Sequence, residues 1–295
     1  MATHPTSRPS RSAEVPLAVW PVAQTSAQYQ RTGRYHSDCT AHPGKMLPAL
    51  AARIVAEYST PGQLVVDPMA GVGTTLVEAA LLGRRSIGVE LEARWVELAG
   101  ANLTHALTPH GKVPRPKIRQ GDARHLPALL GRLSGTVDLV VVSPPYGSDA
   151  GVIDTPGWRA GQRLCPPETL NYSTDKANLG HARGPAYETA MAEVYAACSR
   201  VLRPGGLLVT VTKNTRRHGR CVDLAGLTVA LARSVGFAYL QHVVALVGPI
   251  RDGQLAARPS FWQLTQTRKA RERGEPVHLG VHEDALVFRA REVRP

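Results

Sequence analysis

The 295-residue chain predicts an α/β protein with a mainly parallel sheet covered by helices on both faces. Three observations carry that prediction. From Pro48 onward, short apolar segments of strand length alternate with segments of helical periodicity. One of the predicted strands, residues 137–142, is apolar on both faces, as a strand buried between two helical layers must be. The first strand, residues 63–67, runs into a glycine-rich turn and a helix start, where open parallel sheets hold their ligands.

The elements follow in order. Residues 1–18 are rich in Pro, Ser, Thr and Arg without periodicity and read as a disordered tail. Residues 19–46, with Trp20, Tyr29 and Tyr35 among polar and basic neighbours, read as an ordered arm lying on the main domain, which occupies 47–295. Leu50, Ile54, Val55 and Tyr58 share one face of a helix that stops before Pro61-Gly62. After strand 63–67 comes helix 75–82, with Thr75 and Glu78 spaced as a capping box and Gly83 at its end. Then follow strand 86–90, helix 92–106, strand 117–120, a short helix 126–133 and strand 137–142. Helix 187–201, strand 207–212, helix 224–235, strand 239–246 and strand 285–289 complete a sheet of seven strands. Two stretches, 147–186 and 247–282, break the alternation. Both are long, both contain Gly and Pro, and both carry Arg, Lys, His and aromatic residues. Loops of that length in a compact domain are usually functional or disordered, and each follows a strand end.

Composition excludes several classes. At 43% hydrophobic and 20% charged the chain is globular, with no apolar run long enough to span a membrane. The four cysteines, at 39, 165, 198 and 221, form no Cys-x-x-Cys pair, so neither a metal site nor a disulfide framework is predicted and a reduced, cytoplasmic setting is the default. Lys plus Arg number 35 against 23 acidic residues, a net charge of +12 that attracts polyanions, nucleic acid above all.

The turn after the first strand reads Val65-Val66-Asp67-Pro68-Met69-Ala70-Gly71-Val72-Gly73-Thr74-Thr75. Glycines let the backbone approach a ligand, and the helix start offers unpaired N–H groups. A phosphate loop would need Gly-Lys-Ser/Thr and a dinucleotide fingerprint a third glycine, but Gly73 is followed by Thr74 and position 76 is Leu76. Asp67 ends this strand, Glu90 the second, and Asp122 follows the third. Three carboxylates at successive strand ends match, in order, the ammonium, ribose and adenine of S-adenosylmethionine.

The fourth strand runs straight into Ser143-Pro144-Pro145-Tyr146-Gly147. Two prolines end N–H pairing and stiffen the turn. Ser143 Oγ and the Pro144 carbonyl can then accept both hydrogens of an amino group and turn its lone pair towards a sulfonium methyl, while Tyr146 stacks on the ring that carries it. Positioning alone suffices for such a transfer, and a base inside a duplex must first be flipped out.

On these motifs the chain resembles the DNA amino-methyltransferases, the N4-cytosine/N6-adenine methylase family of Ser-Pro-Pro-Tyr type. The resemblance runs from about Thr40 to Arg289. Asp67-Pro68-x-x-Gly71-x-Gly73-Thr74-Thr75 is similar to the family's cofactor motif, and His42-Pro43-Gly44-Lys45 to its additional cofactor-contacting motif. Arg203-Pro204-Gly205-Gly206 and the segment from His282 to Arg289 resemble later landmarks. The resemblance implies a Rossmann-like class I S-adenosylmethionine-dependent methyltransferase fold. It implies Ser143, Pro144, Pro145 and Tyr146 as the catalytic motif. The cofactor-binding set is His42, Pro43, Lys45, Asp67, Pro68, Ala70, Gly71, Gly73, Thr74, Thr75, Glu90, Asp122 and Ala123. A leading serine goes more often with cytosine N4 than with adenine N6. Target contacts are expected from Arg159, Arg163, Tyr172, Lys176 and Asn178 in the first long loop, and from Arg251, Arg258, Arg268 and Lys269 in the second. Lys213 and Asn214, ending the fifth strand, join them. DNA is the expected partner and the nucleoid the expected location, with a companion restriction endonuclease compatible with the resemblance. The alternatives are an N6-adenine DNA methyltransferase, a tRNA guanine-N2 methyltransferase, or a nucleic-acid-binding protein with a degenerate methyltransferase fold.

Overall fold

The computed structural model describes residues 15–42, 44–110, 113–146, 173, 175, 177–217, 220–258 and 261–291. The chain opens with β1 (Val19–Pro21), α1 (Ala27–Arg31) and α2 (Pro48–Tyr58). Strands and helices then alternate through β2 (Leu64–Asp67), α3 (Thr74–Leu81), β3 (Arg85–Glu90), α4 (Ala93–Leu107), β4 (Lys117–Gln120), α5 (Leu126–Leu130) and β5 (Val137–Val142). The second half contains α6 (Gly184–Val201), β6 (Leu202–Thr212), β7 (Thr215–Arg217), β8 (Arg220–Val222), α7 (Leu224–Ser234) and β9 (Ala238–Leu246). A small hairpin, β10 (Ile250–Arg251) and β11 (Gln254–Leu255), leads to α8 (Phe261–Glu272) and β12 (His282–Arg289).

The main sheet has eight strands in the order β1-β9-β12-β6-β5-β2-β3-β4. All neighbours are parallel except at β12, which is antiparallel to both β6 and β9. The expected Rossmann-like α/β arrangement is therefore present, with one strand more than the seven expected. Val19 to Pro21 pair with Val244 to Leu246, so the start of the predicted arm is an edge strand of the sheet.

Alternation along each central strand builds two cores. Val66, Val140, Val142 and Leu208 face α5, α6 and α7. Val65, Leu139, Val141 and Val209 face the other way, against Leu50, Ile54 and Val55 of α2. On that second face α3 packs between α2 and α4. Burial on both sides is what makes these strands nearly continuous apolar runs.

Other expectations are corrected. Glu78 does not cap α3: its carboxylate accepts from Tyr35 Oη and Arg34 Nη2, both at 2.7 Å, and Gly73 occupies the N-cap instead. The stretch 247–282 is not a long loop, because it folds into the β10–β11 hairpin and α8. The start of α6 lies at Gly184, three residues before the predicted Tyr187. No helix among the described residues is long and apolar enough to cross a membrane.

Candidate active site

The sheet order reverses between β2 and β5, and a cleft open to solvent lies at the carboxyl ends of the strands there. That is the place where open α/β sheets bind ligands. Pro68, Met69 and Gly71 line it from the turn after β2, and Glu90 and Leu91 from the end of β3. Gly121, Asp122 and Ala123 contribute the wall after β4, Ser143 and Pro145 the wall after β5. His42 closes one side, and Ala177, Asn178 and Leu179 another.

The glycine turn is shaped by conformations a side chain resists. Gly71 has φ +50°, and a Cβ there would lie 3.1 Å from His42 Nε2. Gly73 has φ +80° and starts α3. The Glu90 carboxylate is tied down at both oxygens, accepting from Gly71 N at 2.8 Å and Glu92 N at 3.0 Å. Burial pushes its pKa up, against the pull of those amides. Asp122 accepts from Arg124 N at 2.9 Å and pairs with Arg124 Nη2 at 2.5 Å. Burial pushes Asp122 up, but the bonds from Arg124 outweigh it and hold the carboxyl below its ordinary value.

Asp67 differs from its two counterparts. It lies behind the turn, 4% exposed, accepting from Met69 N at 3.1 Å and from the Thr75 hydroxyl. Burial raises its pKa to about 7. Its role in this geometry is to hold the turn, while Glu90 and Asp122 meet the cleft. Ala70, Gly73, Thr74 and Thr75 also stand behind the lining. Ala70 N donates to Val89 O at 2.9 Å, and Thr74 Oγ1 accepts from Arg31 Nη1 at 3.3 Å.

His42 is buried, with its ring edge-to-face on Trp95 at 4.6 Å between centroids. Burial lowers its pKa to about 3, so it presents a neutral imidazole. Lys45 is not on the lining: its Nζ donates to the His42 and Thr40 carbonyls and ties the arm together. Pro43 lies outside the described residues.

The Ser143-Pro144-Pro145-Tyr146 loop is half-buried apart from Pro144, which is buried. The Pro145 carbonyl accepts from Tyr187 Oη, on the first turn of α6, at 2.8 Å. Sequence reasoning missed this tether, and it missed Arg31 and Asn102 as well. Arg31, 7% exposed, donates to Met46 O at 2.6 Å as well as to Thr74. Asn102, fully buried, donates to Val72 O and accepts from His36 N, both at 2.8 Å, and so joins the arm to the glycine turn. The signal for Asn102 was present. It shares the buried face of α4 with Trp95, Ala99, Leu103 and Ala106, where a polar side chain needs partners.

The predicted nucleic-acid contacts divide. Arg159, Arg163, Tyr172 and Lys176 lie outside the described residues. Asn178 stands on the cleft wall. It is 8% exposed, with Oδ1 accepting from Gly180 N at 2.9 Å and Nδ2 3.4 Å from Glu92 Oε1. Asn214 is occupied by Ala225 N at 2.9 Å. Lys213 is half-buried near Glu283 and Asp284, and its ammonium is held below its ordinary pKa by burial. Arg251, Arg258, Arg268 and Lys269 are exposed.

The cleft fits the S-adenosylmethionine that the motifs imply. Glu90 offers fixed carboxylate oxygens, Leu91, Ala123 and Leu179 offer apolar cover, and backbone approach is open at Gly71. The architecture is a Rossmann-like α/β fold, a mainly parallel sheet with helices on both faces. Among curated relatives, a tRNA (guanine(10)-N2)-dimethyltransferase of Methanothermobacter thermautotrophicus is 35% identical over 130 residues, 44% of this chain and 36% of that protein. A protein of the same description from Methanocaldococcus jannaschii is 33% identical over 122 residues, 41% of this chain and 34% of that one. The chain therefore spans about a third of the length of these relatives. Among solved structures, TrmN from Thermus thermophilus is 19% identical, with a TM-score of 0.46 over 85% of this chain and 51% of that one. The family described as DNA methylase (N6_N4_Mtase) matches residues 3–101. That match covers the segment that builds the arm, the glycine turn and the Glu90 strand, about a third of the chain.

Proposed function

We propose that this methyltransferase acts on an exocyclic amino group of a flipped base in DNA, with cytosine N4 the favoured acceptor. The observation that carries the reading is the seating of Ser143 and Pro145 on the same cleft as Glu90 and Asp122. When bound, S-adenosylmethionine supplies an electrophilic sulfonium methyl that an amine takes with loss of one proton. Everything else falls to this chain. The prolines at 144 and 145 carry no N–H, so the loop offers an incoming amino group the Pro144 carbonyl and Ser143 Oγ without a competing backbone donor. Two such acceptors orient both amino hydrogens. Tyr187 holds the loop through Pro145, which keeps the acceptors in place without a reacting side chain. Neutral serine lacks the carboxylate character that goes with adenine N6 in the resembling family, and this favours cytosine.

The DNA methylase family match and the net charge of +12 support DNA. The tRNA (guanine(10)-N2)-dimethyltransferase relatives favour a second reading, in which the acceptor is a guanine amino group of tRNA. One experiment separates them. Protein and labelled S-adenosylmethionine are incubated with DNA or with tRNA, the nucleic acid is digested, and the labelled nucleoside is identified by mass. Label on N4-methylcytosine from DNA is expected; label on N6-methyladenine would replace cytosine with adenine, and label only on tRNA guanine would overturn the DNA reading. Ser143→Ala is expected to lower turnover about a hundredfold, the scale of losing one positioned polar contact in a reacting site, while cofactor affinity holds.

A further inference from the structure

Glu92 is an unusual residue for the place it occupies. It stands at the N-cap of α4, where a short Ser, Thr, Asp or Asn side chain ordinarily accepts from the first turn, and its own side chain makes no such bond. Its backbone N–H donates to the Glu90 carboxylate at 3.0 Å. The Glu92 carboxylate turns instead to a part of the chain more than eighty residues further on. Its Oε1 accepts from the Ser173 hydroxyl and lies 3.4 Å from Asn178 Nδ2. Both partners are buried, Ser173 at 4% and Asn178 at 8% exposure, so each needs a polar partner there.

Those partners are held in turn. Ser173 Oγ accepts from Asp175 N at 2.9 Å, and the Ser173 carbonyl meets His181 Nε2, also at 2.9 Å. Asn178 Oδ1 accepts from Gly180 N at 2.9 Å, and Leu179 belongs to the buried cluster that includes Met191 and Val194 of α6. Position gives the link its meaning. Ala177, Asn178 and Leu179 line one side of the cleft, and Glu90 and Leu91 line the side at the end of β3. Glu92 is not on the lining, yet it bonds to both sides. Its N–H fixes the carboxylate of Glu90, and its carboxylate fixes Asn178 and Ser173.

We propose that Glu92 is a positioning residue for the cofactor, tying the 177–179 wall to the Glu90 wall and so fixing the width of the cleft that holds S-adenosylmethionine. The proposal rests on the S-adenosylmethionine reading of the cleft and is independent of which nucleic acid is methylated. Walls set in advance spare the ligand the cost of ordering them. With the tie cut, binding must arrange two segments from distant parts of the chain, and affinity falls.

The test measures S-adenosylmethionine binding to the full chain by calorimetry, at a temperature where every variant is folded. Glu92→Ala is expected to raise the Kd about tenfold, the scale of one charge-assisted hydrogen bond. Glu92→Gln keeps one acceptor oxygen for the Ser173 hydroxyl and is expected to recover most of that loss. Ser173→Ala weakens binding less than Glu92→Ala does, and combining the two adds nothing further, because both cut the same tie. Losses that add would overturn the proposal, since the two residues would then act separately. A Gln variant as weak as Ala would overturn it too, by making charge and not the bonds the cause. So would a Glu92→Ala protein that melts lower but binds as tightly as wild type, which would leave Glu92 a purely structural residue. If the wild-type chain does not bind S-adenosylmethionine, the cofactor reading falls and the tie with it. If wild type and Glu92→Ala bind equally well, the tie falls alone.

Discussion

Replacing Tyr187 by Phe removes one hydroxyl and leaves a ring of the same shape in a site only 8% exposed. The lost contact is the 2.8 Å hydrogen bond to the Pro145 carbonyl, which links α6 to the catalytic loop. Burial raises the Tyr187 pKa far above neutrality, so the hydroxyl is a neutral donor throughout the working range and the effect should not depend on pH. A neutral buried hydrogen bond is worth about 1 kcal/mol net, which is about a fivefold change in the population of the aligned loop. If the loop shifts as far as an ångström, the loss approaches a hundredfold. The expected result is a turnover number five- to tenfold lower under saturating cofactor. S-Adenosylmethionine affinity should change by less than about twofold, because Tyr187 does not line the cleft. Single-turnover methyl transfer and calorimetric cofactor binding measure the two separately. Unchanged turnover, or cofactor affinity falling in step with it, would refute the idea that this hydroxyl positions the loop.

Two further outcomes follow from buried polar groups. Burial raises the Asp67 pKa to about 7 from an ordinary 3.8, so the protonated acid is favoured by folding. Its contribution is complete below pH 4 and lost as pH climbs through 7, an effect of at most about 4 kcal/mol. Melting temperature measured from pH 4 to 8 should fall more steeply for the wild type than for Asp67→Asn, and parallel curves would count against the shift. Asn102→Ala strips Val72 O and His36 N of a partner at a site with no exposure. Destabilisation of about 2–4 kcal/mol is expected in urea unfolding, from two unsatisfied buried groups. Loss of cofactor affinity should accompany it, and a loss below 1 kcal/mol would show that the arm is not held through this residue.

Much of the site could be read from local chemistry. Apolar runs such as 137–142 reveal buried strands because a strand covered on both sides can afford almost no polar residue. Glu90, Asp122 and Ser143 come directly after strands that are themselves legible, so topology delivers them to one cleft. Where partners come from far along the chain, local reasoning failed. Thr75 and Glu78 have the spacing of a capping box, but Tyr35 and Arg34, more than forty residues upstream, claim the Glu78 carboxylate. Three residues at 19–21 are too few for a periodicity, and only pairing with β9 makes them a strand.

By itself, then, the sequence determined the alternating α/β order, the glycine turn, the acidic strand ends and the proline loop, because each is a short-range consequence of backbone sterics and burial. Tertiary structure alone decided that Asp67 braces the turn while Glu90 and Asp122 face the cleft. It also decided that Asn178 lines that cleft and that Tyr187 tethers Pro145. The physical reason is that a polar side chain takes whichever partner the packed fold brings within hydrogen-bonding range, and that choice is made across the chain rather than along it.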